Sequence, residues 1–309
     1  MATDKPLVSI VMAVYEPNMD WLREQLESLN AQTYPNLELL VRDDCSLTVP
    51  FEEICGCVEG CITAFPFQIQ QNERNLGSNG TFERLTLEAK GAYIAYCDQD
   101  DVWEENKVLL LEQHMKAGTS FVYSDMRVID SSGNIVAESL KHDRPRLRYR
   151  EGIGLARYYA FTNCTAGCSM LMRSDLARMA VPFPEGTVCD QWLCLTSSAT
   201  GAVSFIESPL VKYRIHGSNQ TGVLAGISTK EEYMNNRIRP MQARVLEFDR
   251  RYGAPQDVVA FAQARAAGHV WGIWKNRELC RKDAWFEIVM KFLPASILRQ
   301  IIKKAKQGV

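Results

Sequence analysis

The chain has 309 residues, 46% hydrophobic and 23% charged, with a net charge of −2, which suits a folded globular protein and excludes a disordered or fibrous one. Near-neutral charge provides no basic field to draw nucleic acid, and no run of 18 apolar residues is present to span a bilayer. The start, Met1-Ala2-Thr3-Asp4-Lys5-Pro6, lacks the basic-then-apolar plan of a secretory signal, so a cytoplasmic protein with reduced thiols is expected. Cys55, Cys57 and Cys61 lack both Cys-x-x-Cys spacing and a nearby histidine, which argues against zinc. Cys164 and Cys168 read as small buried hydrophobes.

Leu7–Val14 is a near-continuous apolar run, the mark of a strand buried on both faces. Trp21–Gln32 places Leu22, Leu26 and Leu29 on one helical stripe, and Tyr34-Pro35-Asn36 stops it. Leu37–Arg42 reads as the second strand, ending at Asp43-Asp44. A weaker helix and a strand near Phe67–Gln71 follow, then a helix over Thr81–Lys90 that Gly91 ends, then the strand Ala92–Cys97. This alternation predicts right-handed crossovers and a mostly parallel sheet covered by helices. Beyond it come a helix over Glu104–Lys116, a strand at Phe121–Tyr123 and an Arg-rich excursion over 141–150. A strand at Cys168–Arg173, a helix over Gln191–Thr200 and strands at Val203–Glu207 and Leu210–Tyr213 complete the body. From about Thr229 the pattern is all helical, so the expected division is a catalytic body over 1–225 and a helical region over 226–309.

The expected carboxyl ends of the early strands carry Tyr15-Glu16, Asp43-Asp44 and Asp98-Gln99-Asp100-Asp101, and in open α/β sheets ligands bind at those ends. Three carboxylates within four residues repel one another and raise their proton affinity. A lone Asp-x-Asp is commonly a solvated loop, but acids gathered at the end of a buried strand suit a hard divalent cation such as Mg²⁺ or Mn²⁺.

Val8–Tyr15, Arg42-Asp43-Asp44-Cys45-Ser46, Asn72–Gly77 and Asp98–Trp103, in that order, resemble the serial motifs of family 2 glycosyltransferases. The resemblance runs from residue 7 to about 222. It implies a GT-A nucleotide-diphospho-sugar transferase fold, inverting chemistry, a nucleotide-sugar donor and a divalent metal, with a helical extension after the body. Tyr213–Gln220 is similar to the Tyr-Arg-x-His-Gly-x-Asn run of bacterial rhamnosyltransferase-like members, and Thr165–Met170 to their acceptor-side strand.

On this resemblance the donor is held by Ala13, Tyr15, Glu16, Asp44, Asn75, Gly77, Asp98, Gln99 and Arg214. Tyr15 would stack on the base, Asp44 would accept the imide N–H of uracil or thymine, Asp98 would take ribose hydroxyls, and Arg214 would hold phosphate. Asp43 would be structural. Asp100 and His216 would complete the metal shell, and Gly167, Cys168, Gln191 and Trp192 would face the acceptor. Asp190 would be the base that inversion requires, though Asp is equally a favoured helix cap. Trp192 suits either an acceptor pocket or the core, and His216 either a structural or a ligand role. Many relatives carry His-Asp-Trp-Trp where this chain has Cys189-Asp190-Gln191-Trp192, which leaves the acceptor open.

The expected function is transfer of a sugar, L-rhamnose from a dTDP donor, onto a glycan or lipid-linked acceptor in cell-surface polysaccharide synthesis. The alternatives are another sugar from a UDP donor, or an inactive glycan-binding scaffold; retention of Asp98, Asp100 and Asp190 argues against the latter. The tail interleaves Trp285, Phe286, Ile288, Val289, Phe292, Ile297, Leu298, Ile301 and Ile302 with Lys291, Arg299, Lys303, Lys304 and Lys306. Such a basic amphipathic pattern suits contact with a membrane surface, cover for the body or a homodimer contact.

Overall fold

The computed structural model describes residues 5–143, 147–217 and 227–294. The chain divides into two compact units: Met1–Leu155, Cys164–Phe183 and Val188–His216 make the first, and Ala156–Asn163, Pro184–Thr187 and Gly217–Val309 the second. The boundary expected near residue 225 lies outside the described residues.

The first unit opens with β1 (Val8–Val14), whose residues are buried except Ala13. Helix α1 (Met19–Asn30) starts where the Asn18 side chain accepts from the backbone N–H of Asp20 and Trp21, at 3.0 and 3.2 Å, satisfying donors a helix start leaves open. Leu22, Leu26 and Leu29 bury its inner stripe, as their spacing predicts. Next come β2 (Leu37–Asp43), α2 (Phe51–Cys61), β3 (Phe67–Gln71), α3 (Gly77–Glu88) and β4 (Tyr93–Cys97). Then follow β5 (Val102–Trp103), α4 (Lys107–Gln113), β6 (Thr119–Ile129), β7 (Ile135–Ala137) and α5 (Leu140–Asp143). After α6 (Ala156–Tyr159), which belongs to the second unit, come β8 (Met170–Arg173), α7 (Ser174–Met179), α8 (Cys189–Ser197) and β9 (Ala202–Arg214).

Among the described residues the sheet has nine strands in the order β3-β2-β1-β4-β8-β6-β9-β5, with β7 on β6. The expected parallel sheet is found in β3-β2-β1-β4. Past β4 the sheet is mixed: β8 is antiparallel to both β4 and β6, β6 and β9 are parallel, and β5 is antiparallel to β9. The β1–β4 approach depends on a glycine. A Cβ at Gly91 would stand 2.7 Å from both Leu7 O and Ser9 N, so only a residue without one fits there. The two strands expected at Val203–Glu207 and Leu210–Tyr213 are one strand, β9, with a register shift where Pro209 faces Asp125. Proline supplies no N–H to the ladder, and a bulge absorbs that loss.

Among the described residues after 226, the elements of the second unit are all helices, as the sequence predicts. Thr229 and Glu232 form a reciprocal cap at the start of α9 (Lys230–Tyr233). A π-helical turn at Met234–Ile238 leads into α10 (Arg239–Tyr252), followed by α11 (Gln256–Ala266), α12 (Val270–Lys275) and α13 (Arg281–Phe292). Between α11 and α13, buried Arg265 pairs with buried Glu287 at 2.5 Å, and the Tyr233 hydroxyl donates to the same carboxylate at 3.0 Å.

Candidate active site

In the parallel half, Val14 of β1 lies beside Asp43 of β2, and Met12 beside Cys97 of β4. The loops that leave these three strands therefore emerge on one edge. Two carry non-glycine residues in the left-handed region, Glu16 (φ 44°) and Cys45 (φ 63°), directly after Tyr15 and Asp44. Such conformations persist where neighbouring contacts enforce them. Here the Glu16 carboxylate accepts from the backbone N–H of Leu47 and Thr48, at 2.6 and 3.1 Å, and from the Thr48 hydroxyl. Those bonds, the Thr48 hydroxyl first, lower its pKa. Glu16 thus ties the two loops together rather than standing open to a ligand.

Gln99 does the same between β1 and β4: its amide accepts from Tyr15 N at 2.8 Å and donates to Tyr15 O at 3.1 Å. The Tyr15 ring remains outside, 45% exposed. Asp44 is buried, and its Oδ1 accepts from Asn72 Nδ2 and Leu76 N, both at 2.8 Å. Asn75 donates to Asp44 O at 3.2 Å and accepts from Gly77 N at 3.0 Å. Gly77 takes φ +72° as α3 begins, a conformation open to glycine. Asp43, as expected, is structural, accepting from Ser46 N and Gln71 Nε2. Tyr15, Asp44 and the Asn75–Gly77 turn thus lie around one edge, with Ala13 half-buried on β1 behind them.

The acids after β4 divide by depth. Asp98 and Asp100 are partly exposed, while Asp101 is fully buried. Asp101 Oδ1 accepts from Arg214 N at 3.0 Å, and its Oδ2 has no partner. Burial first, then the charges of Asp100 and Asp190, push the Asp98 carboxyl up to about 7; burial followed by Asp98 and Asp100 drives Asp101 well up. Burial also lowers the ammonium of Lys107 to about 7. This lysine, at the start of α4, donates to Cys168 O at 2.6 Å and lies 2.9 Å from the Trp103 ring centre.

Two groupings could meet a cation. Ligand atoms of Asp98, Asp101 and Cys168 lie within 4.8 Å of one another. There, however, one of the three donors is the buried Cys168 thiol, and soft sulfur is a poor match for Mg²⁺ or Mn²⁺. The better donor set is Asp100 with His216, whose Nε2 lies 2.7 Å from Asp100 Oδ2 with both side chains partly open, 20% and 14% exposed. Carboxylate plus imidazole, with Asp98 beside them, fits a Mn²⁺- or Mg²⁺-like ion.

On the far side of β4, Asp190 sits in the first turn of α8, whose cap is Val188 with no side-chain bond. The N-cap alternative for Asp190 therefore does not hold, because the helix starts at Cys189, two residues earlier than its sequence suggests. Its charge reaches Asp98, and the Cβ position of Gly167 lies 3.8 Å from Asp190 Cβ. Gln191 is half-buried beside it. Trp192 is fully buried with its indole donating to Ala180 O at 2.7 Å, and Cys168 is 1% exposed, so both belong to the core rather than to an acceptor surface. Arg214 differs from expectation too. Its side chain is 1% exposed, and its guanidinium donates to Asp100 O at 2.8 Å, Asp130 O at 3.3 Å and Glu24. It holds the acidic loop instead of reaching for phosphate. Lys107, Trp21 and Glu24 were not foreseen as neighbours of the site. Lys107 carried a signal, as a cation leading the apolar run Val108–Leu111 on a buried helix face. Ser218–Gln220 of the late motif lie outside the described residues.

Residues 9–179 match the family described as Glycosyl transferase family 2. The Escherichia coli UDP-Glc:alpha-D-GlcNAc-diphosphoundecaprenol beta-1,3-glucosyltransferase WfgD is 26% identical over 222 residues, covering 70% of this chain and 80% of that one. In three dimensions the chain resembles Staphylococcus aureus TarS 1–349 in complex with UDP-GlcNAc: TM-score 0.60 at 14% identity, covering 97% of this chain and 92% of that one. It also resembles the mannosyltransferase PcManGT from Pyrobaculum calidifontis in complex with GDP-Man and Mn²⁺: TM-score 0.57 at 17% identity, over 96% and 79%. With a matched segment covering more than half its length and the GT-A architecture around it, the chain belongs to glycosyl transferase family 2.

Proposed function

We propose that this protein is a metal-dependent, inverting transferase that moves a sugar from a pyrimidine nucleotide-sugar to a glycan or lipid-linked acceptor in cell-surface polysaccharide synthesis. The observation that carries the reading is the 2.7 Å Asp100–His216 pair, with Asp98 beside it and Asp190 close enough for its charge to act on Asp98. Tyr15 offers an exposed ring to a base, and Asp44 Oδ2 is the oxygen left for a pyrimidine imide. Asp98 would take ribose hydroxyls. Asp190 would remove the proton from the acceptor hydroxyl as its oxygen attacks the anomeric carbon and the bond to the nucleoside diphosphate breaks, inverting that centre. A divalent ion at Asp100 and His216 would offset the charge gathering on the leaving diphosphate.

For the sugar, the Tyr213–Gln220 run supports L-rhamnose from a dTDP donor. A second reading, glucose from a UDP donor, is supported by the likeness to the E. coli glucosyltransferase. A panel of nucleotide sugars assayed for donor hydrolysis with and without Mn²⁺ separates them. Turnover of dTDP-rhamnose alone supports the first, turnover of UDP-glucose the second, and full turnover of either in EDTA would count against the metal.

A lipid-linked acceptor would place the enzyme at an anionic membrane face, which the helical region suits. Trp285, Val289 and Phe292 form an exposed stripe on α13, with Trp271 exposed on α12. Residues 270–309 hold nine basic and three acidic side chains, while the rest of the chain is net negative. Exposed aromatics among cations match a bilayer of anionic headgroups. Among the described residues no helix is long and apolar enough to cross it. The tail residues from Ile297 to Lys306 lie outside the described residues.

A further inference from the structure

Strand β9 ends at Arg214, two residues before His216. We infer that Trp21 and Glu24 of α1, with Arg214, form a clamp that presets His216 against Asp100, making them positioning residues for the cation. The inference rests on the reading of Asp100 and His216 as metal ligands.

Three independent contacts converge on this short segment. The Trp21 ring lies 4.9 Å from the His216 ring, tilted by 45°. The Arg214 guanidinium sits 5.3 Å from the same indole. The indole cannot slide freely, because its N–H donates to Ser131 O at 3.1 Å. Glu24 follows Trp21 by three residues, which puts both on one face of α1, and its carboxylate takes Arg214 Nη2. The remaining guanidinium groups of Arg214 grip the opposite partner, Asp100 O, and the Asp130 carbonyl, while its backbone N–H holds Asp101. One helix face therefore fixes both halves of the metal pair, the loop that bears Asp100 and the strand end that bears His216.

The physical effect is preorganisation. A side chain that must be ordered when its ligand arrives subtracts that entropy from binding, whereas one already held does not. Groups behind metal ligands characteristically govern affinity in this way. Ordinary packing makes a different prediction: loss of Trp21 would then harm folding, or binding of nucleotide in general, with no preference for the metal-dependent part.

The test is calorimetric binding of UDP and dTDP, with and without Mn²⁺, to the full chain and to Trp21→Ala, Trp21→Phe, Glu24→Gln and Asp100→Ala. Trp21→Ala should weaken Mn²⁺-dependent nucleotide binding about 10- to 100-fold, as is usual for groups supporting a ligand. Metal-free binding should stay at the wild-type level, and Trp21→Phe should recover most of the loss by restoring a ring against His216. Glu24 is half-exposed, so Glu24→Gln leaves the packing intact and should give a smaller loss of the same metal-dependent kind. That variant decides the matter if Trp21→Ala does not fold. Wild-type Mn²⁺-dependent affinity in Trp21→Ala and Glu24→Gln, alongside its abolition in Asp100→Ala, would overturn the clamp. So would equal losses with and without Mn²⁺. Undiminished Mn²⁺-dependent binding by Asp100→Ala would instead remove the metal assignment itself, and the clamp with it.

Discussion

Replacing one carboxylate oxygen of Asp190 by an amide nitrogen isolates the chemical step. Asp190 is not the cap of α8, so Asp190→Asn should leave the helix and donor binding intact. Turnover should fall by about 10²- to 10⁴-fold, the ordinary worth of a general base, with donor affinity within a few-fold of wild type. Product of retained anomeric configuration would exclude it as the base. At the nucleotide end the gentler change is Asp44→Asn, because Asp44→Ala would also release Asn72 and Leu76. It should weaken UDP and dTDP binding, and calorimetry showing GDP bound more tightly than both would refute the pyrimidine assignment. Tyr15, Asp44, Asp98 and Asp100 stand out in the sequence by residue type and strand-end position, and Asp190 by the resemblance of its motif. The role of each neighbour does not. Gln99, Glu16 and Asn75 sit inside the same motifs, yet their polar atoms are engaged by backbone groups up to 84 residues away.

Among elements, the parallel half was readable because β1, β2 and β4 are largely apolar runs, β3 alternates apolar with polar residues, and each crossover is local. Its weakest tolerance is at Gly91, where a methyl group would strike the backbone of β1. Gly91→Ala should cost about 1–3 kcal/mol, the range for overpacking, measured as a lower denaturant midpoint with unchanged slope. The antiparallel half was less readable. β8 pairs with β4 across more than 70 residues, and β9 hides a long strand behind Pro209, so local pattern reported two short strands. The same distance concealed Arg214. Only pairing of Ile129 with Arg214 brings that guanidinium to Asp100 and Asp130. Arg214→Lys, which lacks the planar fork, leaves several of these acceptors unmet. It should lower the melting temperature as well as the affinity for Mn²⁺ and nucleotide.

For the molecule as a whole, charge separates the two ends of the chain, and the helical unit has its own buried ion pair. Glu287→Ala would leave Arg265, 4% exposed, to the 3.4 Å contact with half-exposed Asp283, a loss of about 3 kcal/mol, the low end for a broken buried pair. That unit should therefore melt earlier in calorimetry. Removing residues 295–309 deletes no residue of this network, so the shortened protein should still fold. The shortened protein should nevertheless sediment less with phosphatidylglycerol vesicles, and binding by the full chain should weaken as salt is raised. Vesicle binding that ignores salt, or a concentration-dependent dimer lost with Phe292→Ser, would reassign the exposed stripe on α13 to contact between copies.

The switch of strand direction at β4 has a consequence for inheritance. Tyr15, Asp44 and Asn75, proposed for the donor, precede β4 in the chain and Asp98 follows it directly, whereas Gly167 and Asp190, proposed for the acceptor side, come after β6. A single recombination between residues 104 and 164 could thus join one parent's choice of nucleotide to another's choice of acceptor. A hybrid would have to keep β8 on β4 through Tyr93–Arg173, Ile94–Met172 and Ala95–Leu171, β5 on β9 through Val102–Lys212 and Trp103–Val211, and Arg214 on Asp100 and Asp101. Lineages built this way would diversify their glycans by reassortment.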